Sequence, residues 1–486
     1  MSVMPKPDPL WTGADIVAAC GGQALGGTSW SAGGISIDTR TLRAGDLFVA
    51  LKGETSDGHA FVEAAFAKGA VAALVSDPGL AASAGPLVRV ADTLHGLEGI
   101  GRTARARSRA QIVAVTGSLG KTSTKEALRV VLGAQGKTHA AEASYNNHIG
   151  VPLTLARLPA DARYAVCEIG TNHPGEIEPL ARMTKAHVGV ITNVEAVHIG
   201  HFGTVDAIAE EKAKLFVGMD TATAGGPTAV LPRDSAHFFR LAQCADAAGV
   251  SRHVTFGQHE EAAYRLLGCD LEDTGSTVTA LAQGRELRYR LGAPGRHWVL
   301  NSLAVLAASS SLGIAVDAAA AALAGVSAPA GRGARRRVSL AEGTVELIDE
   351  SYNASPLSVR AMLALLAAAR PGPGGRRLLV LGDMLELGAD SEAMHVALAP
   401  DVEASGVDLV FTAGVGMGAL HRALPSRLRA AHAPDSSRLA QRVVEALQAG
   451  DVVAVKGSLG SKMKVIVEAI LALGEAQSNR GSTGGR

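Results

Sequence analysis

Apolar runs of strand length alternate with helix-like segments through most of the chain. Between residues 12 and 105, the runs GDLFVAL and AVAALVS are separated by the helix-like segment HAFVEAAFAKG. This alternation predicts a small α/β unit. We place its end in the arginine-dotted stretch before Gln111, which gives an N-terminal domain of residues 1–107.

A second block, residues 108–328, opens with the apolar run QIVAVTG and continues with YAVCEIG and HVGVITNV. Helical segments lie between these runs, which predicts a mainly parallel sheet covered by helices. Shorter polar–apolar pieces between residues 220 and 292, such as HVTFG and STVTALAQG, are interpreted as antiparallel strands at one side of that sheet. The alanine-rich segment WVLNSLAVLAASSSLG is expected to form the closing helix.

The third block, residues 329–476, follows a predicted linker, SAPAGRGARRR. Its strand candidates are VELIDESY, RLLVLGDM, DLVFTAG and DVVAVKGS. Helical stretches separate them, which indicates a Rossmann-like domain, although its first strand is not followed by GxGxxG. The tail 477–486 is expected to be disordered. The predicted fold class is therefore α/β in three domains, with a P-loop ATPase-like central one.

The composition excludes two classes of partner. Lys+Arg and Asp+Glu both number 46, so the formal net charge is zero and nothing draws the whole chain to nucleic acid or anionic membranes. No apolar run reaches the roughly 18 residues of a membrane span, and the N-terminus lacks the apolar stretch of a signal peptide. We therefore expect a cytoplasmic protein with Cys167 as a buried, reduced thiol.

Local basic runs are interpreted as solvated segments near domain edges, with phosphate binding as the alternative. They comprise Arg102, Arg105, Arg107, Arg109 and residues 335–337.

The segment TGSLGKTSTKEAL, directly after a predicted strand, has the parts of a triphosphate-binding loop. Its glycines allow a tight turn with converging backbone N–H groups, and the following helix directs its positive dipole end to the same place. The motif is a shortened GxxGKT, which does not separate a kinase from an ATPase or a ligase. The predicted nucleotide contacts are Gly117, Ser118, Leu119, Gly120, Lys121, Thr122 and Ser123.

Further polar residues follow the other central strands. Glu168 ends a strand, where its carboxylate can reach Mg²⁺ held by phosphates. Asn193, His198 and His201 follow the next strand, and Lys212 lies in a helix-like segment. Judged by residue type alone, His198 is a structural loop histidine and Lys212 a solvated lysine.

Taken together, the motifs resemble the Mur ligase family over nearly the whole chain. DESYNASP and GDMLELG are the most discriminating, because they point to the members that add D-alanyl-D-alanine to a UDP-linked muramoyl tripeptide with ATP. The matching strings are SIDTRTLRAGDLFVALKGETSDGHAF, GSLGKTSTKEAL, NNHIGVPLTL, EIGTNHPGEI, AHVGVITNVEAVHIGHFGT, DESYNASPLS, LGDMLELG and KGSLGSKM.

The resemblance implies roles for individual residues. Lys121, His198 and Lys212 become catalytic, and two Mg²⁺ ions are implied on Thr122, Glu168, His198 and a CO₂-derived carbamate of Lys212. Further implied ATP contacts are Asn301, Arg332, Asp349, Tyr352 and Asn353. The UDP-muramoyl tripeptide is expected on Thr39, Arg40, Asp57, Gly58, His59, Asn146 and Asn147. The family also implies a monomer.

Three positions depart from the family pattern: Trp298, Ser355 and Leu459. The first affects packing near adenine, and the other two leave dipeptide and phosphate contacts open. Alternatives that remain are a sibling Mur ligase or folylpolyglutamate synthase, a P-loop kinase or ATPase, and an inactive precursor-binding protein. Whether the tripeptide carries diaminopimelate or lysine also stays open.

Overall fold

The computed structural model describes residues 9–53, 56–222, 225–272 and 274–483, and its α/β architecture confirms the predicted fold class. In the N-terminal unit, β4 to β7 run parallel in a five-stranded sheet of order β2-β7-β6-β5-β4, with β2 antiparallel at the edge. Its strands are β1 (Trp11–Thr12), β2 (Gln23–Leu25), β3 (Ser31–Ala32), β4 (Gly34–Ser36), β5 (Asp46–Val49), β6 (Ala72–Val75) and β7 (Leu87–Arg89). Its helices are α1 (Gly13–Cys20), α2 (Val62–Ala67) and α3 (Thr93–Arg107).

The central unit is built on a nine-stranded sheet. Its strands are β8 (Gln111–Thr116), β9 (Thr138–Ala140), β10 (Tyr164–Glu168), β11 (Val188–Ile191), β12 (Thr228–Pro232), β13 (Arg252–Gly257), β14 (Tyr264–Glu272), β15 (Gly275–Ala282) and β16 (Arg285–Leu291). Its helices are α4 (Lys121–Gly133), α5 (Gly150–Ala156), α6 (Ile177–Thr184), α7 (Ile199–Phe202), α8 (Val205–Ala213), α9 (Phe238–Ala247), α10 (Arg296–Ser311) and α11 (Val316–Ala322). The strand order is β16-β15-β14-β13-β12-β11-β8-β10-β9.

One strand direction differs from the prediction. The HVTFG segment lies in β13, which pairs in parallel with β12, and antiparallel pairing begins only between β14 and β15. The reason is the connection: helix α9 crosses back between β12 and β13 and so returns the chain in the same direction. STVTALAQG forms β15, antiparallel as predicted.

The C-terminal unit has a six-stranded sheet of order β17-β18-β22-β19-β20-β21, parallel except for edge strand β17. Its strands are β17 (Ala334–Leu340), β18 (Gly343–Glu350), β19 (Arg377–Gly382), β20 (Leu409–Ala413), β21 (Arg429–Ala433) and β22 (Val452–Lys456). Its helices are α12 (Pro356–Ala368), α13 (Ser391–Val396), α14 (Ala399–Ala404), α15 (Val415–Ala423), α16 (Ser436–Ala446) and α17 (Lys464–Thr483).

Both ends of this unit form regular secondary structure. The ARRR end of the predicted linker is not a linker, because it forms the first half of β17 and pairs with β18. The backbone of the tail expected to be disordered is helical to Thr483, and residues 484–486 lie outside the described residues.

The central core has two layers because alternate residues of β8 point to opposite faces. Val113 and Val115 pack with α4 and α10, whereas Ile112 and Ala114 pack with α5 and α6. Cys167 lies in the second layer as a free thiol, and burial raises its pKa to about 12. Across the described stretches of chain, no helix has the length and apolar character needed to cross a bilayer.

Arg105, at the end of α3, is buried and is not the solvated residue that the basic run suggested. Its guanidinium donates to the carbonyl oxygens of Thr184 and Lys185 at 2.9 Å each, and Asp220 lies 3.6 Å away. Arg107 stacks on the ring of Trp11, 3.6 Å from its centroid. Arg105 therefore joins the N-terminal unit to the central one, whereas Arg107 packs within the N-terminal unit.

Replacing Arg105 with alanine is expected to lower the free energy of unfolding by about 2 kcal/mol, because two buried carbonyl groups lose their donor. Thermal denaturation measures the effect as a lower Tm. The matched control is Arg102→Ala, since Arg102 makes only an exposed ion pair with Glu98 at 2.9 Å and such pairs contribute less than about 1 kcal/mol. Equal losses of Tm in both variants would contradict the assignment.

Candidate functional site

The predicted phosphate loop lies between β8 and α4, and two glycines give it its shape. Gly117 has a φ of 148° and Gly120 a φ of 80°, both in the region that favours glycine. A Cβ at Gly120 would lie 2.8 Å from Nδ2 of Asn301, and one at Gly117 would overlap Thr192. The sequence therefore folds here into a tight turn at the N-terminus of α4, which suits an anion.

The loop after β11 supports this turn from the side. The backbone N–H of Leu119 donates to Oδ1 of Asn193 at 2.8 Å, and the backbone N–H of Ser118 donates to the Asn193 carbonyl at 3.1 Å. The Ser118 hydroxyl donates to the carbonyl of Glu195 at 3.0 Å and accepts from its N–H at 2.9 Å. Ser118 and Leu119 thus hold the loop itself in shape, and Glu195 is a supporting residue that sequence reasoning missed.

Lys121 is folded into its own loop. Its Nζ donates to the carbonyl oxygens of Gly117 at 2.8 Å and Ser118 at 3.2 Å. Burial lowers the pKa of Lys121 to about 8; the charge of Glu168 opposes this shift and that of Arg332 adds to it. A half-buried cation whose Nζ contacts carbonyl oxygens is a good receptor for a phosphate group.

Glu168, at the end of β10, is the buried carboxylate of the site. Its Oε1 accepts from the Thr122 hydroxyl at 3.0 Å and from Nδ2 of Asn146 at 2.8 Å. Its Oε2 is buried and has no hydrogen-bond partner among the described residues. A buried carboxylate oxygen is costly without a partner, and an Mg²⁺ ion would supply one. Oxygen donors of this kind fit the metal that the sequence implied.

His198 and Lys212 complete the set of predicted catalytic residues. His198 precedes α7 with a φ of 58° and contacts the Glu386 carboxylate of the C-terminal unit. Burial lowers its pKa, and Glu386 opposes that shift.

Lys212, near the end of α8, is 4% exposed and so is not the solvated lysine that its residue type suggested. Burial lowers its pKa well below the usual range, the charge of Lys121 adds to this, and Glu211 opposes it.

No described group of three or more His, Cys, Asp or Glu side chains forms a ready metal cage. The predicted ligands instead combine a hydroxyl, a carboxylate, an imidazole and a lysine. Such a set leaves coordination positions for phosphate oxygens and water, which Mg²⁺ often keeps.

The remaining predicted ATP contacts come from two units. Asn301 lies in α10 beneath Gly120, and its Nδ2 is buried without a partner in the described part of the chain. The Arg332 guanidinium stacks on Tyr352 at 4.2 Å from the ring centroid and donates to the Ser144 hydroxyl at 3.3 Å. The Ser144 hydroxyl, which sequence reasoning missed, also lies 3.1 Å from Oγ1 of Thr122 and so connects Arg332 with that predicted metal ligand.

Asp349 and Asn353 shape the loops around these residues. Asp349 is buried at the end of β18 and accepts from the N–H groups of Gly331 at 2.9 Å and Ser351 at 3.1 Å. The carbonyl of Asn353 accepts from Nζ of Lys456 at 2.9 Å. Sequence reasoning also missed Lys456, which is buried.

The predicted UDP-sugar residues lie at the carboxyl ends of β4 and β5. Arg40 is exposed and pairs with Asp38 at 2.6 Å, and the Thr39 carbonyl accepts from Nζ of Lys68. Asp57 accepts from the His59 N–H at 3.0 Å, and Nε2 of His59 accepts from the Ser76 N–H at 2.8 Å.

Gly58 and Asn147 both shape the backbone near them. A Cβ at Gly58 would lie 2.7 Å from the carbonyl of Leu51, so the close approach requires glycine. Oδ1 of Asn147 accepts from the Gly150 N–H at 2.9 Å at the start of α5. Asn147 also lines a cavity of about 400 Å³, together with residues of α3 and α6.

The three departures from the family pattern have separate structural positions. Trp298 is 1% exposed within the core, where its Nε1 has no partner among the described residues. Ser355 caps α12 by accepting from the N–H of Ser358. Leu459 is 64% exposed at the seam between the central and C-terminal units.

Comparisons with known proteins agree with this architecture. Family models match in chain order: the Mur ligase family catalytic domain over residues 32–107, the Mur ligase middle domain over 115–309, and the Mur ligase glutamate ligase domain over 335–459.

Curated relatives and a solved structure cover almost the whole chain. The UDP-N-acetylmuramoyl-tripeptide–D-alanyl-D-alanine ligase of Escherichia coli is 34% identical and that of Bacillus subtilis 32% identical, each over 90% of this chain and 93% of the relative. A crystal structure of MurF from Acinetobacter baumannii has a TM-score of 0.80 at 26% identity and covers 95% of this chain and 99% of that one. With about a third of its residues shared over nearly the full length of these relatives, the chain belongs to the Mur ligase family.

Proposed function

We propose that this chain is the ATP-dependent ligase that joins D-alanyl-D-alanine to a UDP-linked muramoyl tripeptide, and that it acts as a cytoplasmic monomer. The observation that carries the proposal is that two ligases of that name align with the chain over 93% of their own lengths. The site supports it, because phosphate loop, carboxylate, imidazole and buried amine converge at one edge of the central sheet.

ATP is placed with its triphosphate on residues 117–123 and its adenine beside Asn301. The free N–H groups at the start of α4 and the Lys121 ammonium supply the positive charge. Arg332 and Tyr352 close over the nucleotide from the C-terminal unit, and Asp349 and Asn353 hold the loops that carry them. Ser144 fixes Arg332 at the same end of the loop.

Two Mg²⁺ ions would be held by Thr122, Glu168, His198 and Lys212 as a carbamate. When bound, they would neutralise phosphate charge and stabilise the charge that develops on the transferred group. The residues fit this role: one oxygen of Glu168 lacks a partner, and burial favours the neutral amine of Lys212, the form that reacts with CO₂. Carbamylation would change a buried base into an anionic oxygen ligand.

The ligation is proposed to proceed in two steps. The terminal carboxylate oxygen of the tripeptide attacks the γ-phosphorus of ATP, the bond to the β-phosphate oxygen breaks, and ADP leaves with an acyl phosphate formed. The amine of D-alanyl-D-alanine then attacks the acyl carbon, phosphate leaves, and the amine loses a proton. Lys121 reduces the repulsion between the carboxylate and the triphosphate, so alignment and electrostatics carry most of the catalysis.

The tripeptide substrate is placed across the N-terminal and central units. Its uridine end lies against Thr39, Arg40, Asp57, Gly58 and His59. Its peptide extends past the cavity of about 400 Å³ that Asn147 lines and reaches Asn146, which donates to Glu168. Closure of the C-terminal unit would exclude water from the acyl phosphate.

Release of inorganic phosphate tests the proposal. The purified chain is mixed with ATP, Mg²⁺ and a UDP-muramoyl tripeptide, with and without D-alanyl-D-alanine, and the product is analysed by mass spectrometry. Release that needs both substrates, with a pentapeptide product, is expected. Release with single amino acids instead of the dipeptide would assign a sibling ligase activity. Release without any amine would indicate an ATPase, and no release would indicate a binding protein.

A further inference from the structure

Two left-handed residues meet across the seam between the central and C-terminal units. Glu386, in the loop after β19, has a φ of 63°, and the His198 that it contacts has a φ of 58°. Non-glycine residues rarely adopt this conformation, and they persist where the surrounding structure holds them for a function. The backbone on both sides is therefore shaped to bring this carboxylate to the site.

Glu386 also faces a small cavity of about 120 Å³ at the same seam. The cavity wall includes Leu385, Leu387 and Leu459, together with Ser355 at the start of α12. Among the described residues of that wall, Glu386 is the one carboxylate. Its side chain is 43% exposed, contacts His198 through Oε2 and lines the cavity.

A carboxylate at this position suits the N-terminal ammonium group of the dipeptide substrate. The amine of a dipeptide has a pKa of about 8 and is mostly an ammonium at neutral pH. An ammonium that enters a cavity walled partly by leucine side chains benefits from an anionic partner that offsets its lost hydration. The contact between Glu386 and His198 places this carboxylate beside the position where the acyl group is activated in the proposed reaction.

We propose that Glu386 binds the N-terminal ammonium of the acceptor dipeptide, and that this ammonium gives one proton to solvent before its nitrogen, then a neutral amine, attacks the acyl carbon. The inference rests on the proposed function and deepens it, since it assigns the cavity at the seam to the amine substrate. Glu386 is then a specificity residue that favours an amine over a neutral group of the same shape. It also connects closure of the C-terminal unit with placement of the nucleophile.

The test compares wild type with Glu386→Gln, which keeps the shape and a polar contact to His198 but removes the charge. Initial rates of phosphate release are measured against D-alanyl-D-alanine, ATP and tripeptide concentration in turn. The KM for the dipeptide is expected to rise about 10- to 100-fold, as for loss of a hydrogen bond to a charged group. The KM values for ATP and tripeptide should stay within about twofold. Glu392→Gln, an exposed residue of α13, is the matched control.

A competitor separates charge recognition from a purely structural contact. Propionyl-D-alanine lacks the amine and should inhibit wild type and Glu386→Gln equally, because neither enzyme gains from an absent ammonium. A fall in kcat with an unchanged KM for the dipeptide, or an equal rise of all three KM values, would overturn the assignment. Wild type without any dipeptide-dependent phosphate release would instead overturn the proposed function, and this inference with it.

Discussion

Replacing Lys212 with alanine is expected to lower kcat about a thousandfold, since a ligand that stabilises charge in the transition state contributes several kcal/mol. The amine is 4% exposed, and burial already lowers its pKa well below the usual range. Such a group is poor as a cation but is ready to react with CO₂. The variant should recover part of its activity when a short-chain carboxylate, such as acetate, fills the space left by the carbamate.

The control is Lys214→Ala, two residues further along the same segment. Lys214 is 49% exposed and lies 3.8 Å from Glu178, so its removal should leave kcat within about twofold. Labelled bicarbonate followed by carbon NMR provides a second measurement, with a carbamate signal in wild type and none in Lys212→Ala. Full activity of Lys212→Ala, or loss of activity that no carboxylate rescues, would defeat the carbamate hypothesis.

The buried parallel strands could be predicted from sequence because they are covered on both faces. QIVAVTG and YAVCEIG are nearly continuous apolar runs, and they form β8 and β10, two interior strands of the nine-stranded sheet. Edge strands β17 and β21 were not predicted. Each has a partner on only one side and carries polar or charged residues, so ARRR resembled a linker.

The tight turn between β8 and α4 could be predicted because the residues that form it are consecutive in sequence. Seven consecutive residues contain the glycines, the lysine and the hydroxyl, and the strand before them sets their direction. Contacts between segments that are distant in sequence could not be predicted in this way. Ser144 contacts Arg332, which is 188 residues away in sequence. Glu386 contacts His198, and these two residues belong to different units.

Lys212 shows that residue type alone does not predict whether a side chain is buried. Its neighbours Glu210 and Glu211 made the segment resemble a solvated helix. In the structure, Glu211 turns inward and accepts from the N–H groups of Gly175 and Ile177, both at 2.9 Å, and Lys212 is buried beside it. Only the family resemblance singled out this lysine, because burial depends on packing that the sequence does not display.

Replacing Lys121 with methionine is expected to lower kcat about a thousandfold and to weaken ATP binding about 10- to 100-fold. Methionine keeps the length and volume of the side chain but removes the charge that we propose binds the phosphates. Lys137→Met is the matched control, since Lys137 is half exposed and pairs with Asp161 at the surface. Isothermal titration measures the affinity, and phosphate release measures the rate.

The pH dependence of ATP binding distinguishes loss of this charge from a general disturbance of the loop. In the free protein, burial lowers the pKa of Lys121 to about 8, and the charge of a bound triphosphate raises it again. Below about pH 8 the lysine is protonated in both states, so affinity is constant; above it, the free protein must take up a proton to bind, and affinity falls as pH rises. Isothermal titrations of ATP in buffers of different ionisation enthalpy should therefore show that wild type takes up a proton on binding above pH 8. The Lys121→Met variant should not take up this proton. Equal uptake in both proteins would assign the proton to another group and remove Lys121 from the role of phosphate receptor.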